Sequence, residues 1–248
     1  MEFKTLASQF ASLGWTIFRE QSLSEKITEL RSIYLKDYLP KMTADYEINR
    51  NLIRRLADHP STKQIFSSAP LIDEIGKTCG IRVPILCGPT FTHYTSHDHT
   101  GQSYGLPFHQ DYPSLASSLN AVVCWFNFNA TDKNSHGIEL VDHPITDRWL
   151  YPGEQRDNGY IIKDQELRNT QKSLPQIPFG SVLIFSAFTP HRTHVHPDHL
   201  GWKLSLSQRY EDLKHPSCSH NKYRNAYEYC VNRNLYKETL ISSKPTDD

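Results

Sequence analysis

Two short stretches of the sequence are rich in side chains that can bind a metal ion. The first, residues 106–114 (LPFHQDYPS), places His109 and Asp111 two positions apart. Residues i and i+2 of an extended strand point to the same face, so one strand can present an imidazole and a carboxylate together. The second, residues 188–199 (FTPHRTHVHPDH), contains four histidines and an aspartate. The question is which of these side chains would bind a metal, and which metal they would select.

The first stretch suits a facial triad, in which two histidines and one carboxylate bind Fe(II) and leave three adjacent coordination positions open. Such a triad needs a second histidine from a distant strand. An apolar run, residues 179–188, leads to Pro190 and His191, which lies 80 residues after Asp111. We expect this run to be a strand that ends at the rim of its sheet, with His191 at its end.

The second stretch allows a different metal. Residues 194–199 (HVHPDH) have the spacing of the zinc motif of metallo-β-lactamases. A hydrolase of that kind needs more His and Asp ligands over a long downstream segment, and only 49 residues follow His199. A zinc hydrolase therefore stays an alternative. The preferred interpretation places His194, His196 and His199 in a solvated turn beyond the strand end.

Residues 201–210 (GWKLSLSQRY) form a candidate binding strand. Its alternation places Lys203, Ser205, Ser207 and Arg209 on one face. Cations and hydroxyls on one side suit a carboxylate ligand, because charge-assisted hydrogen bonds to carboxylates are strong.

A second alternating strand is predicted at residues 121–129 (AVVCWFNFN). Here Asn127 shares a face with Trp125, and we expect it to point into the interior of the fold. The opposite face, which carries Cys124, Phe126 and Phe128, is interpreted as core.

The elements that would position these residues change in character at residue 81. Residues 1–80 are predicted to be mostly helical, with Gly14 ending the first helix before a short strand and Ser24 capping the next helix. Residues 81–212 contain many short β-rich runs separated by Gly, Pro, Asn and Asp, which predicts a sandwich or barrel. We expect one domain over residues 1–240, with a helical segment at 213–240 and a polar tail at 241–248.

Composition excludes several classes of function. The 248 residues include 27 basic and 27 acidic side chains, so no charge excess points to nucleic acid or an anionic membrane. The longest apolar runs have the length of strands, and the first residues do not resemble a signal peptide. The five cysteines form no CxxC pair, which is typical of reduced thiols, and we expect a cytoplasmic protein that acts on a small molecule.

Five segments make the chain resemble the phytanoyl-CoA dioxygenase-like branch of the Fe(II)/2-oxoglutarate-dependent oxygenases. They are residues 13–34, 106–114, 122–144, 177–193 and 201–210. They resemble, in turn, the family's opening strand and helix, its His-x-Asp segment, the strand and loop that follow, the approach to the distal histidine, and the strand that binds 2-oxoglutarate. The resemblance implies a double-stranded β-helix (a cupin-like jelly roll) in which His109, Asp111 and His191 bind Fe(II).

The resemblance also implies the reaction. With 2-oxoglutarate and O2 as cosubstrates, the enzyme would hydroxylate a C–H bond of a small polar or natural-product substrate and release succinate and CO2. A carboxylate at position 111 favours an oxygenase over a halogenase, because the family's halogenases have a small residue there. The family usually has arginine where this chain has Lys203, so either Lys203 or Arg209 would bind the distal carboxylate of 2-oxoglutarate, with Ser205 and Asn127 beside it.

Two further interpretations stay open. A cupin-like binding protein with a decayed site would have the same fold without the chemistry. Residues 93–105, which contain His93, His97, His99 and Tyr104, are expected to form a polar loop at the mouth of the barrel, with a second metal site as the alternative.

Overall fold

A computed structural model describes residues 5–43, 45–96, 105–115, 117–156, 159–199, 201–221 and 223. Its helices are α1 (Leu6–Leu13), α2 (Gln21–Ile33), α3 (Tyr46–Ala57), α4 (Pro60–Phe66), α5 (Ala69–Cys79), α6 (Tyr112–Leu115) and α7 (Pro216–His220). A π-helical turn, Tyr34–Tyr38, and a 3-10 turn, Leu39–Lys41, continue α2, and a second 3-10 turn spans Asp164–Leu167.

Local chemistry explains where the first helices begin and end. Gly14 ends α1 with φ 76°, and a Cβ there would collide with the carbonyl oxygen of His143, so only glycine fits. The predicted cap of α2 was wrong. Glu20 caps this helix, because its carboxylate accepts from the backbone N–H groups of Ser22 and Leu23, whereas Ser24 lies inside the first turn.

The strands form two antiparallel sheets. They are β1 (Trp15–Phe18), β2 (Pro84–Ser96), β3 (Val122–Asn127), β4 (Gly137–Val141), β5 (Gly153–Arg156), β6 (Gly159–Ile162), β7 (Lys172–Ser173), β8 (Val182–Ser186), β9 (His191–His194) and β10 (Trp202–Asp212). The larger sheet has the order β1-β8-β3-β10-β2. The second contains β7-β4-β9 and the hairpin β5-β6, which are connected by single bridges from His109 to His191 and to Ile161.

Alternation along the larger sheet separates two cores. On its outer face, Cys124, Phe126, Ile184, Leu204 and Leu206 pack against α2, α4 and α5. On its inner face, Val123, Trp125, Leu183 and Phe185 pack against Ile138 and Leu140 of the second sheet. The predicted apolar face of residues 121–129 is therefore core. Lys203, Ser205, Ser207 and Arg209 project from the inner face of β10, into the space between the sheets.

The described residues include no helix that is long and apolar enough to cross a membrane. Of the helical segment predicted at 213–240, the structure describes only α7 and its flanking residues. The rest of that segment and the predicted tail lie outside the described residues.

Candidate metal centre

His109, Asp111 and His191 meet between the two sheets. Asp111 directly precedes α6, and His191 is the first residue of β9. The backbones of His109 and His191 exchange two hydrogen bonds, both 3.0 Å long, which places their rings 4.2 Å apart. One potential ligand atom from each of the three side chains lies within 4.8 Å of the others, and all three residues are buried.

Both histidines present the same nitrogen to this centre. His109 Nδ1 lies 2.8 Å from the carbonyl oxygen of Pro107, and His191 Nδ1 lies 3.0 Å from that of Thr189. Because a carbonyl oxygen only accepts hydrogen bonds, we assign the ring proton to Nδ1 in each case, which leaves Nε2 as a ligand atom. Burial lowers the pKa of His191 to about 3 and also lowers the pKa of His109, so both rings are neutral near pH 7.

Arg209 holds one oxygen of Asp111. Its Nε and Nη2 lie 3.0 and 2.8 Å from Asp111 Oδ2, and both side chains are buried. Burial by itself raises the pKa of Asp111, but the Arg209 guanidinium and the two imidazoles hold this pKa well below its usual range. Asp111 Oδ1, which is 3.6 Å from His109 Nε2, is left to face the histidines. The centre therefore offers two imidazole nitrogens and one carboxylate oxygen, the donor set of a facial triad.

Lys203 lies on the same face of β10 and has a different environment. Its ammonium group donates to the carbonyl oxygen of Gly137 at 3.0 Å and lies 5.9 Å from the centroid of the Trp125 ring. Within the described residues, no carboxylate forms an ion pair with it. Lys203 is only 2% exposed, and burial lowers its pKa to about 7.

The triad histidines and Lys203 line one cavity, which we call the metal cavity. It holds about 390 Å³ of empty space, part of it open to solvent. Ser205, Ser207 and Arg209 line it as well, and no acidic side chain of the described residues does so.

Comparison with known proteins identifies the fold. No protein-family model matches the chain, and no curated protein sequence does. Among solved structures, EctD from S. alaskensis with 2-oxoglutarate and 5-hydroxyectoine has a TM-score of 0.59 at 11% identity, covering 84% of this chain and 75% of that chain. The chain has the double-stranded β-helix fold.

Two enzymes of nogalamycin biosynthesis have the same fold. The non-haem α-ketoglutarate-dependent epimerase SnoN matches with a TM-score of 0.53 at 15% identity, over 86% of this chain and 85% of its own. The α-ketoglutarate-dependent carbocyclase SnoK matches with a TM-score of 0.55 at 12% identity, over 91% and 92%. At these identities the likeness confirms the predicted fold, and function has to be argued from the site.

The β-helix places one of the clustered histidines, His194, differently from the prediction. His194 does not lie beyond the strand end, because a turn after β8 leads into β9, where His194 pairs with Gly137 of β4. His196 and His199 follow β9, and His199 packs edge-on against His136. Among the described residues, only His109, Asp111 and His191 form a group of three or more potential metal ligands. His97, His99 and Tyr104 lie outside the described residues.

Two further polar side chains face the interior of the β-helix. His93, predicted as part of a loop, lies in β2 opposite Ser205 and lines the metal cavity. The alternation of Phe91, His93 and Thr95 was the available signal, and the polar residues that follow obscured it. Asn127 lies opposite Ser205 on β3 and is buried, but it lines a second pocket, which shares Lys203 with the metal cavity.

Proposed function

We propose that this protein is an Fe(II)- and 2-oxoglutarate-dependent oxygenase that hydroxylates a C–H bond of a small polar or natural-product substrate. The observation that carries the proposal is one cavity lined by the two histidines of a buried two-histidine, one-carboxylate centre and by a buried lysine with no acidic partner among the described residues.

The residues fit the metal. Nε2 of His109, Nε2 of His191 and Oδ1 of Asp111 would bind Fe(II), since Nδ1 of each ring and Oδ2 of the aspartate are engaged elsewhere. Three protein ligands leave room for 2-oxoglutarate and O2. Bound Fe(II) and 2-oxoglutarate would supply the oxidising chemistry, with succinate and CO2 as products beside the hydroxylated substrate.

The cosubstrate would be held by β10. The distal carboxylate of 2-oxoglutarate would pair with Lys203 and accept a hydrogen bond from Ser205, whose hydroxyl now donates weakly, at 3.4 Å, to the carbonyl oxygen of His93. Arg209 is a weaker candidate because it already binds Asp111. A contact from Asn127 stays a prediction, supported by an amide that lies buried beside Ser205.

Other side chains of the metal cavity would shield the metal from water and recognise the substrate. Val123, Trp125 and Phe185 give the metal cavity apolar walls, which would limit the access of water to the metal. His93 adds a polar group to the cavity, and burial together with the nearby Arg209 and Lys203 charges lowers its pKa to about 3, so it can offer a neutral ring to a polar substrate.

The type of reaction needs its own test, because the named structural neighbours include an epimerase and a carbocyclase. The experiment is anaerobic reconstitution with Fe(II), followed by titration with 2-oxoglutarate and then by succinate and product analysis across a metabolite library. We expect one Fe(II) per chain, the visible absorption of the iron chelate, and products heavier by one oxygen atom. Products that have lost two hydrogens, or that are isomers of the substrate, would replace hydroxylation and leave the class intact.

The metal itself separates this proposal from the alternatives. The triple variant His194→Ala/His196→Ala/His199→Ala should retain iron, whereas His191→Ala should lose it. Stoichiometric zinc in the parent that disappears in the folded triple variant would support a zinc hydrolase instead. A folded parent that binds neither metal would be a binding protein without this chemistry.

A further inference from the structure

A second pocket shares Lys203 with the metal cavity. It holds about 590 Å³ of empty space, part of it open to solvent, and includes none of the triad residues. Its polar lining comes from Arg31 of α2, Asn127 at the end of β3, and His136 and His199 from loops. Lys203 lines both spaces, so the two meet at its side chain.

The amide of Asn127 is the observation that points to a ligand. Asn127 is 3% exposed, yet among the residues that the structure describes neither its Nδ2 nor its Oδ1 has a hydrogen-bond partner. A buried amide is nearly always hydrogen-bonded, because leaving it unsatisfied is unfavourable. A bound molecule in the pocket would supply the missing partner.

The charge of the lining selects the ligand. Arg31 brings a guanidinium group, and among the described residues its buried Nε has no hydrogen-bond partner either. Lys203 adds a second basic group, and no acidic side chain of the described residues lines the pocket. Two basic side chains, two amides, a hydroxyl and two imidazoles form a poor site for a metal cation and a good one for the oxygens of an anion.

We propose that this pocket binds a small oxyanion, a carboxylate or phosphate group, through Arg31 and Asn127. The bound anion would also interact with Lys203. The binding itself is independent of the proposed function. The consequence rests on that function: an anion in the second pocket would compete with 2-oxoglutarate for Lys203 and weaken cosubstrate binding.

Calorimetric titration of the metal-free full chain with inorganic phosphate and, separately, with malonate tests the binding. We expect saturable binding of at least one, and the arm with the higher affinity identifies the group. Arg31→Gln should weaken binding at least tenfold, Arg31→Lys should restore part of it, and the matched control Arg54→Gln, on the exposed face of α3, should bind like the parent. No saturable binding of either anion by the parent, or equal losses in Arg31→Gln and Arg54→Gln, would overturn the proposal.

Asn127 provides the second variant. Asn127→Asp places a carboxylate in the pocket, so it should abolish anion binding in a chain that stays folded by circular dichroism, whereas an unchanged affinity would contradict the site.

A titration of the Fe(II)-loaded protein with 2-oxoglutarate separates the two proposals. Phosphate or malonate should raise the apparent dissociation constant of 2-oxoglutarate in the parent and much less so in Arg31→Gln. If Arg31→Gln weakens the binding of 2-oxoglutarate as much as the binding of phosphate, the pocket is an extension of the cosubstrate site and no second site exists. If the parent binds phosphate but never 2-oxoglutarate, the proposed function fails and the anion site stands.

Discussion

Two buried basic side chains on one face of β10 differ in their partners. Arg209 pairs with Asp111 through two contacts of 3.0 Å or less. Lys203, six positions earlier, donates to the backbone carbonyl of Gly137 and to no other group of the described residues. Both are at least nine-tenths buried. A protein tolerates a buried charge when a partner compensates it. The pair at Arg209 is complete, whereas the charge on Lys203 would be compensated by a ligand that brings an acidic group.

The residue types match these circumstances. A guanidinium stays charged and forks onto a carboxylate, which suits a permanent partner, whereas a buried ammonium can lose its proton while it has none. Arg209 therefore orients the proposed metal ligand Asp111, and Lys203 is the better candidate for binding the cosubstrate. Substitutions can change either the Arg209–Asp111 pair or Lys203.

The largest effect is expected at the complete pair. Asp111→Ala removes a proposed metal ligand and leaves Arg209 buried without its partner. We expect loss of stoichiometric iron, no substrate-dependent succinate, and a free energy of unfolding lower by about 3–5 kcal/mol, as is typical when one member of a buried ion pair is removed. Urea denaturation and metal analysis measure the two effects.

Asp198→Ala is the matched control, because Asp198 belongs to the other His-x-Asp sequence and is exposed. It should change neither iron content nor stability. Full activity in Asp111→Ala, or loss of iron in Asp198→Ala, would contradict the assignment of the metal centre.

The next largest effect is expected at Lys203. Lys203→Ala should weaken 2-oxoglutarate binding by about 30-fold or more, because truncating one partner of a buried charge pair typically costs about 2–5 kcal/mol and each 1.4 kcal/mol is tenfold. Lys203→Arg should bind the cosubstrate if the cavity accommodates the longer side chain. The measurement is anaerobic titration of the Fe(II) enzyme, followed through the absorption of the chelate.

Arg209→Ala distinguishes the two basic residues in the same assay. We expect it to impair iron binding first, because it releases Asp111. If Lys203→Ala titrates like the parent and Arg209→Ala binds iron but not 2-oxoglutarate, then Arg209 is the anchor and the comparison is reversed.

The sequence predicts that Lys203 and Arg209 share a strand face, but it does not predict which of them already has a partner. Strand alternation places Lys203 and Arg209 on one face without any knowledge of the fold, and the spacing of His109 and Asp111 indicates a metal site. The partner of Arg209 is not visible in the sequence, since Asp111 lies 98 positions away and meets it only after the sheets pack. The choice between Lys203 and Arg209 therefore required the structure.

The wrong expectations for His194 and His93 have the same origin. His194 was placed beyond a strand end because one apolar run was read as one strand, whereas the chain turns and starts β9 at His191. His93 was placed in a loop because polar residues follow it, although the tertiary fold continues β2 through it. Alternation predicts which residues share a face, but only packing between distant segments decides where a strand begins and ends.

The smallest predicted effect concerns the proton on Lys203. Burial lowers the pKa of this amine to about 7. The ionisable side chains of the described residues that line the two spaces beside it are all basic: His93, His109, His191, Arg192 and Arg209 in the metal cavity, and Arg31, His136 and His199 in the second pocket. Above pH 7 the amine in the empty site is therefore mostly neutral. A bound carboxylate stabilises the charged form and raises this pKa, so cosubstrate binding takes up a proton.

The direction in which the affinity changes with pH follows from this proton uptake. Affinity for 2-oxoglutarate should be constant below about pH 7, where Lys203 is already charged, and should fall by about tenfold for each pH unit above it, because each unit of pKa corresponds to 1.36 kcal/mol. Lys203→Arg, which stays charged, should show a flat profile between pH 6.5 and 9. Parallel anaerobic titrations of the two proteins across this range give the comparison. A parent whose affinity is as independent of pH as that of Lys203→Arg would mean that Lys203 is charged in the empty site or does not bind the cosubstrate, and the contrast with Arg209 would then be lost.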